Sequence, residues 1–276
     1  MIIRVAHSPD SDDAFMFYAL AEGLIDTQEL TYVHELQDIE SLNQRARRGE
    51  LEVTAVSIHA YAYLTDRYAL LTSGASMGDG YGPRLVSRGP ATRADLRGKR
   101  VAVPGPLTSA YLALRLYEAD VVPVSIPFDA IEDAVVRGDV EFGVLIHEGQ
   151  LTFGDRGLHL VADLGDWWSR ETGLPLPLGG NVARKDLGYD VLAKISRHIR
   201  ASIEYALGHH DEAMSHAMRF ARGLSHGAAD TFVRMYVNEW TLDYGERGRR
   251  AIREFLDRGV SAGIIPRAVP VEFVDD

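Results

Sequence analysis

The sequence predicts an α/β protein of two lobes, in which the first lobe is interrupted by the second and completed by helices. Short apolar runs alternate with helix-period segments from residue 2 onward. Two passages rich in glycine or proline, Ser73 to Pro83 and Leu174 to Gly180, bracket a stretch that repeats this alternation. Beyond Leu187 the apolar residues recur at helical spacing only. A chain of 276 residues, 46% hydrophobic and 25% charged, is long enough to bury a large core in this arrangement.

In the first lobe, Ile2 to Ala6 reads as a strand and Ala14 to Ala21 as a helix, with Ser8-Pro-Asp-Ser-Asp-Asp13 forming the turn. Amides at such a helix start attract anions, but Asp10, Asp12 and Asp13 already crowd this turn. Asp13 reads as a cap rather than a catalyst. A second strand, Leu30 to Leu36, leads to an amphipathic helix, Ile39 to Arg48, which Gly49 closes at its C′ position. Leu51 to Val56 is a third strand, after which Ser57 opens a helix through Leu64. A serine there leaves backbone N–H groups facing the carboxyl edge of the sheet, where they could bind a carboxylate or phosphate; a plain cap is the commoner role. His59 reads as packing or helix surface. Arg84 to Ser87, beyond the glycines, is a hinge strand into the second lobe. Neither a dinucleotide fingerprint nor a P-loop lysine is present here.

In the second lobe, Val101 to Val103 is a strand that breaks at Pro104-Gly-Pro106, and Thr108 and Ser109 start a helix running to Glu118. This strand, turn, hydroxyl and helix repeats the unit at Ser57, so two helix starts can face one cleft. Val121 to Ile126 is a strand and Phe128 to Val136 a helix, ended by Arg137-Gly138. Phe142 to Ile146 is then a buried strand, and His147 stands just past its carboxyl end, where α/β folds place ligand crevices. Taken alone, a histidine beside an apolar run is more commonly a packing residue.

Leu158 to Asp163 reads as a strand, and Trp167 and Trp168 as packing within a helical segment. Leu174 to Gly180 is extended by its prolines, and Asn181 to Arg184 returns as a second hinge strand. Domain boundaries follow: 1–83 with 184–276 form the first lobe and 84–183 the second. Helices are expected over Leu187 to Leu207, Glu212 to Arg222, Ala228 to Tyr236 and Glu246 to Arg258. His198, His209, His210, His216 and His226 lack zinc-site spacing and read as surface or capping residues. Tyr236 to Trp240 and Asp243 to Gly245 are expected to close this region against the first lobe.

Composition narrows the function. Without cysteine, thiolate catalysis, cysteine-ligated zinc, iron–sulfur clusters and disulfides are excluded. A formal charge of −11 disfavours nucleic acid as partner. The amino terminus does not read as a signal peptide and no run is long enough for a membrane span, so the expected location is the cytoplasm and the expected partner a small molecule.

The order of lobes resembles the type II periplasmic-binding-protein fold, two α/β domains joined by two hinge strands with a cleft between them. Ser8-Pro9 with Asp13-x-Phe15-x-Phe17-Tyr18-Ala19, Ser73-Gly74 to Gly82-Pro83, Val101 to Gly105 with Thr108 to Tyr111, Ile146-His-Glu148 and Gly173 to Gly179 are similar to the 1,4-dihydroxy-6-naphthoate synthases of menaquinone biosynthesis. The first turn departs from the Ser-Pro-Cys-Pro-Asn-Asp form of some members, carrying Asp10, Ser11 and Asp12 instead. The resemblance implies conversion of cyclic dehypoxanthine futalosine, a carboxylate, to 1,4-dihydroxy-6-naphthoate and dihydroxyacetone, with His147 as proton acceptor and no metal or redox cofactor. It also implies that Ala55, Val56 and Ser57, together with Thr108, Ser109 and Ala110, hold the substrate carboxylate or a ring oxygen. A chorismate dehydratase-like enzyme and a transporter's solute-binding protein share the fold and are the alternative readings.

Overall fold

The computed structural model describes residues 1–274. Its first half alternates as β1 (Ile2–His7), α1 (Ser11–Met16), α2 (Tyr18–Ala21), β2 (Thr31–Leu36), α3 (Ile39–Arg48), β3 (Val53–Ser57), α4 (Ile58–Tyr61), β4 (Tyr68–Leu71) and β5 (Ser76–Gly78). The chain crosses at β6 (Arg84–Ser87) and continues through β7 (Lys99–Val103), α5 (Ser109–Tyr117), β8 (Val121–Ser125), α6 (Ile131–Arg137), β9 (Phe142–Leu145), α7 (Gly149–Thr152), β10 (His159–Asp163) and α8 (Leu164–Thr172). It returns along β11 (Leu176–Arg184) to α9 (Tyr189–Gly208), α10 (His210–Ala217), α11 (His226–Tyr236), α12 (Glu239–Leu242), α13 (Gly245–Ser261) and β12 (Phe273–Val274).

Two sheets result. The seven-stranded sheet has the order β12-β4-β11-β3-β1-β2, with β5 paired to β11. In it β1 lies parallel to β2 and β3, while β11 runs antiparallel between β3 and β4. The five-stranded sheet has the order β10-β6-β9-β7-β8. Here β7 is parallel to β8 and β9, whereas β6 is antiparallel to β9 and β10. Prolines sit where a missing N–H is tolerated: Pro123 on the edge strand β8, and Pro177 beside the register shift in β11.

Local chemistry sets the ends. Asp38 caps α3 by accepting from Ser41 N, and Gly49 closes the helix at φ +73°, a conformation that glycine adopts without Cβ strain. The expected helix from Ala14 to Ala21 is instead two pieces that divide at Phe17. Its cap is Asp10, which accepts from Asp13 N; Asp13, expected in that role, accepts from Ser8 N at 2.7 Å instead. The helix after Ser57 is a single turn. The return strand is longer than Asn181 to Arg184: it begins at Leu176 and belongs to the seven-stranded sheet throughout.

Along α9, Ile195, Ile199 and Ile203 lie four residues apart and are fully buried in a cluster with Ile3 and Val5. Each such side chain contributes about 1.5–3 kcal/mol on burial. The second cluster joins the lobes, with Trp168 edge-on to Phe255 at 5.3 Å and its indole N–H donating to Pro175 O at 3.0 Å. One histidine expected at the surface is not there: His198 is buried, its Nδ1 2.9 Å from Tyr32 Oη.

Candidate active site

His147 follows β9 by two residues and adopts φ +54°, a left-handed conformation uncommon for a side-chain-bearing residue. Holding such a residue there costs on the order of 1–3 kcal/mol, and strain of this kind clusters at functional sites. The turn carries the imidazole to the first lobe, where Nδ1 stands 2.9 Å from Asp10 Oδ2. Phe128 meets the ring edge-on, with centroids 4.8 Å apart. Arg222, also at positive φ, lies 4.6 Å over the Phe128 ring and donates to Pro9 O at 3.0 Å. Its guanidinium is 3.7 Å from Glu148 Oε2, so one arginine ties the first turn to the loop bearing His147.

The three aspartates of the first turn do not share charge equally. Burial alone would raise Asp10, but the hydrogen bond and charge of His147, with help from Asp12 and Arg222, hold it below the usual carboxylate range. Asp12 and Asp13 are pushed well above that range, first by burial and then by the negative charge of Asp10. The ligand atoms of the three lie within 4.8 Å of one another. Asp10 receives Asp13 N and pairs with His147, Asp13 receives Ser8 N, and one buried oxygen of Asp12 has no partner; we assign the cluster no cation.

On the other wall, Ser57 ends β3, but its amide is not free. Ser57 N donates to Asn43 Oδ1 at 2.9 Å, and Asn43 Nδ2 donates to Ser57 Oγ at 3.1 Å. Of the helix amides expected beyond Ser57, His59 N is also taken, by Ser109 Oγ, and Ser57 itself offers a hydroxyl. Asn43 lies on the buried stripe of α3 with Leu42 and Ala46. A polar residue within an apolar stripe was the sequence signal for it.

At the start of α5, Thr108 caps Tyr111 N, and Ser109 Oγ accepts from His59 N and donates to Leu178 O. Ser109 thus joins α5 to α4 and β11. The carboxylate of Glu40, raised by burial, receives Leu107 N at 3.2 Å and fastens the same loop to α3. His59 is buried as packing beside Tyr63 and Tyr111.

One cleft of about 770 Å³, part of it open to solvent, lies between these walls. Ala55, Val56, Ser57, Thr108, Ser109, Ala110 and His147 all line it. So do residues that sequence reading did not assign to a site: Asp10, Asp12, Gln150, Asn181, Phe232 and Tyr236. Their placement depends on contacts across the chain that no local pattern encodes.

Two α/β sheets enclosing a cleft that holds a histidine, carboxyl groups and hydroxyls define a protein of the periplasmic-binding-protein fold. The sulphonate-binding protein SsuA from Escherichia coli shares that fold, with a TM-score of 0.66 at 12% identity over 97% of this chain and 89% of that one. The menaquinone biosynthesis family model matches residues 3–261, and the chain belongs to that family. A 1,4-dihydroxy-6-naphthoate synthase from Thermus thermophilus is 42% identical over 262 residues, 95% of each chain. The crystal structure of an Archaeoglobus fulgidus protein superposes with a TM-score of 0.92 at 47% identity, covering 95% of this chain and 98% of that one.

Proposed function

We propose that the protein is a carbon–carbon lyase that converts cyclic dehypoxanthine futalosine to 1,4-dihydroxy-6-naphthoate and dihydroxyacetone, and that it works in the cytoplasm. The observation that carries the reading is His147, at the carboxyl end of β9, turned into the cleft that Ser57 and Thr108 also line. Identity of 42% over nearly the full length to a 1,4-dihydroxy-6-naphthoate synthase supports the product.

In this reading His147 takes the proton of a substrate hydroxyl. The oxygen's electron pair then forms a carbonyl as the adjacent carbon–carbon bond breaks, and the electrons of that bond enter the conjugated ring of the leaving naphthoate portion. A proton returned to that portion restores its hydroxy-aromatic form. A histidine with a pKa ordinarily near 6.5 suits this exchange at neutral pH. Ala55, Val56 and Ser57 with Thr108, Ser109 and Ala110 hold the substrate's oxygens, through the Ser57 hydroxyl on one wall and the first turn of α5 on the other. Closure of the cleft between the lobes excludes water from the ring.

Incubating wild type and His147→Ala with cyclic dehypoxanthine futalosine, and following 1,4-dihydroxy-6-naphthoate by mass spectrometry, tests both parts. Product from wild type, with turnover in the variant lower by at least about a hundredfold, is the expected result. Formation of no product by wild type would move the chain to the dehydratase or binding-protein reading, and an active variant would remove His147 as the base.

A further inference from the structure

We infer that Asp10 is the positioning residue of His147: its buried carboxylate takes the Nδ1–H, so that Nε2 is the unprotonated nitrogen presented to substrate. The inference rests on the reading of His147 as proton acceptor and deepens it. The two side chains come from different sheets, Asp10 from the turn after β1 and His147 from the turn after β9, and meet at 2.9 Å with side-chain exposures of 2% and 15%.

Both partners are held in place independently of each other. Asp10 Oδ1 is engaged by Asp13 N at the start of α1, which leaves Oδ2 for the imidazole. His147 is held by its backbone at φ +54° and by the edge contact of Phe128. A histidine whose Nδ1 donates to a carboxylate is locked in one tautomer and one ring orientation, and its conjugate acid is stabilised as it forms. That is what a general base requires of a neighbour which itself never touches the substrate.

The surroundings suit a single negative charge at Asp10. Burial, and then the charge of Asp10, raise the carboxyls of Asp12 and Asp13 in the same turn well above the usual range, while His147 and Arg222 favour the ionised form of Asp10. Glu148, paired with Arg222, His7, lowered to about 3 by burial, and Tyr236, whose phenol burial raises, are the further titratable groups facing this turn. Were all three aspartates ionised, mutual repulsion would compete with the bond to His147. Of the three carboxyls, Asp10 is the one held below the usual range, and its Oδ2 faces the imidazole at 2.9 Å.

Two measurements test the inference. In the wild-type protein, nitrogen-15 correlation spectra of the His147 ring are expected to show the Nδ1–H tautomer; an Nε2–H tautomer would overturn it. Steady-state kinetics of Asp10→Asn are expected to show kcat lower by about a hundredfold or more with KM changed little, and the acidic limb of kcat/KM displaced to lower pH because the imidazolium has lost its counter-charge. Asp10→Glu is expected to recover part of kcat. Should Asp10→Asn keep both kcat and the limb while His147→Gln is inactive, the positioning role fails and the base stands. An active His147→Gln overturns the base instead, and the inference with it. The spectra need no variant, so a misfolded Asp10→Asn leaves the first measurement to decide.

Discussion

Tyr236 donates a 2.8 Å hydrogen bond to Oε1 of Gln150, joining the end of α11 to the turn just beyond His147. Both side chains line the cleft, and burial raises the Tyr236 phenol far above its ordinary value, so it stays a donor at any physiological pH. The C-terminal helices therefore do more than cover the first sheet: one of them braces the loop on which the proposed base is carried.

Tyr236→Phe is expected to leave the Gln150 carbonyl buried without its donor, at a cost of about 1–3 kcal/mol. Urea denaturation gives the loss of stability. Kinetics on the same variant should show a lower kcat through the loosened His147 turn. Unchanged kcat would confine this bond to a structural role.

Ser57→Ala removes the hydroxyl that accepts from Asn43 and faces the cleft, without removing a helix cap, since Ser57 makes no side-chain cap bond. Stability is expected to fall by about 1 kcal/mol, the typical worth of one hydrogen bond. KM is expected to rise several-fold at nearly constant kcat. If KM does not move, the hydroxyl serves Asn43 alone.

Gly165→Ala is expected to be strongly destabilising. A Cβ at residue 165 would lie 1.8 Å from the backbone oxygen of Tyr81, in the segment through which the chain enters the second sheet. Backbone cannot yield as a flexible side chain would, and overpacking of this kind costs about 1–3 kcal/mol or more. Thermal denaturation of the variant beside wild type measures it.

Stability is expected to fall between about pH 6.5 and pH 4. Burial holds His59 down at about 4, only partly opposed by its bond to Thr108 O, against 6.5 in an unfolded chain. Above 6.5 neither state is protonated, so the full stability is present. As the pH falls through that value the unfolded chain takes up a proton that the folded one refuses until about pH 4, and stability is lost at roughly 1.4 kcal/mol per pH unit for each such group. His7, lowered to about 3 by burial and the neighbouring His34, acts with the same sign. Denaturation curves from pH 8 to pH 4.5 should show the slope, and His59→Gln should flatten it by about one proton.

What the sequence disclosed depended on how local the cause was. Apolar runs placed β1, β7 and β9, and cap residues placed α3 and the end of α6, because a strand face or a helix end is decided by neighbours a few residues away. The place of His147 just past β9 was legible, but position alone favoured packing, and its role as proton acceptor came only from the family resemblance. The strands β4, β5 and β12 were not legible: each is four residues or shorter, and each is a strand only because another segment pairs with it. Asp10 and Asp13 are both cap formers in one turn, and a histidine more than a hundred residues away lowers Asp10 while burial and Asp10 raise Asp13. The bonds from Asn43 to Ser57 and from His59 N to Ser109 were hidden for the same reason, since each partner comes from another element.

The strand order also sets a schedule for assembly. Every strand of the five-stranded sheet lies between Arg84 and Asp163, so that sheet can close as soon as this contiguous stretch has left the ribosome. The seven-stranded sheet cannot: β3 and β4 wait for β11 to insert between them, and β4 waits again for β12. During synthesis the inserted lobe is therefore the first to complete, and a nascent chain arrested before β11 holds its proposed base in a finished sheet while the sheet beneath Asp10 is still open.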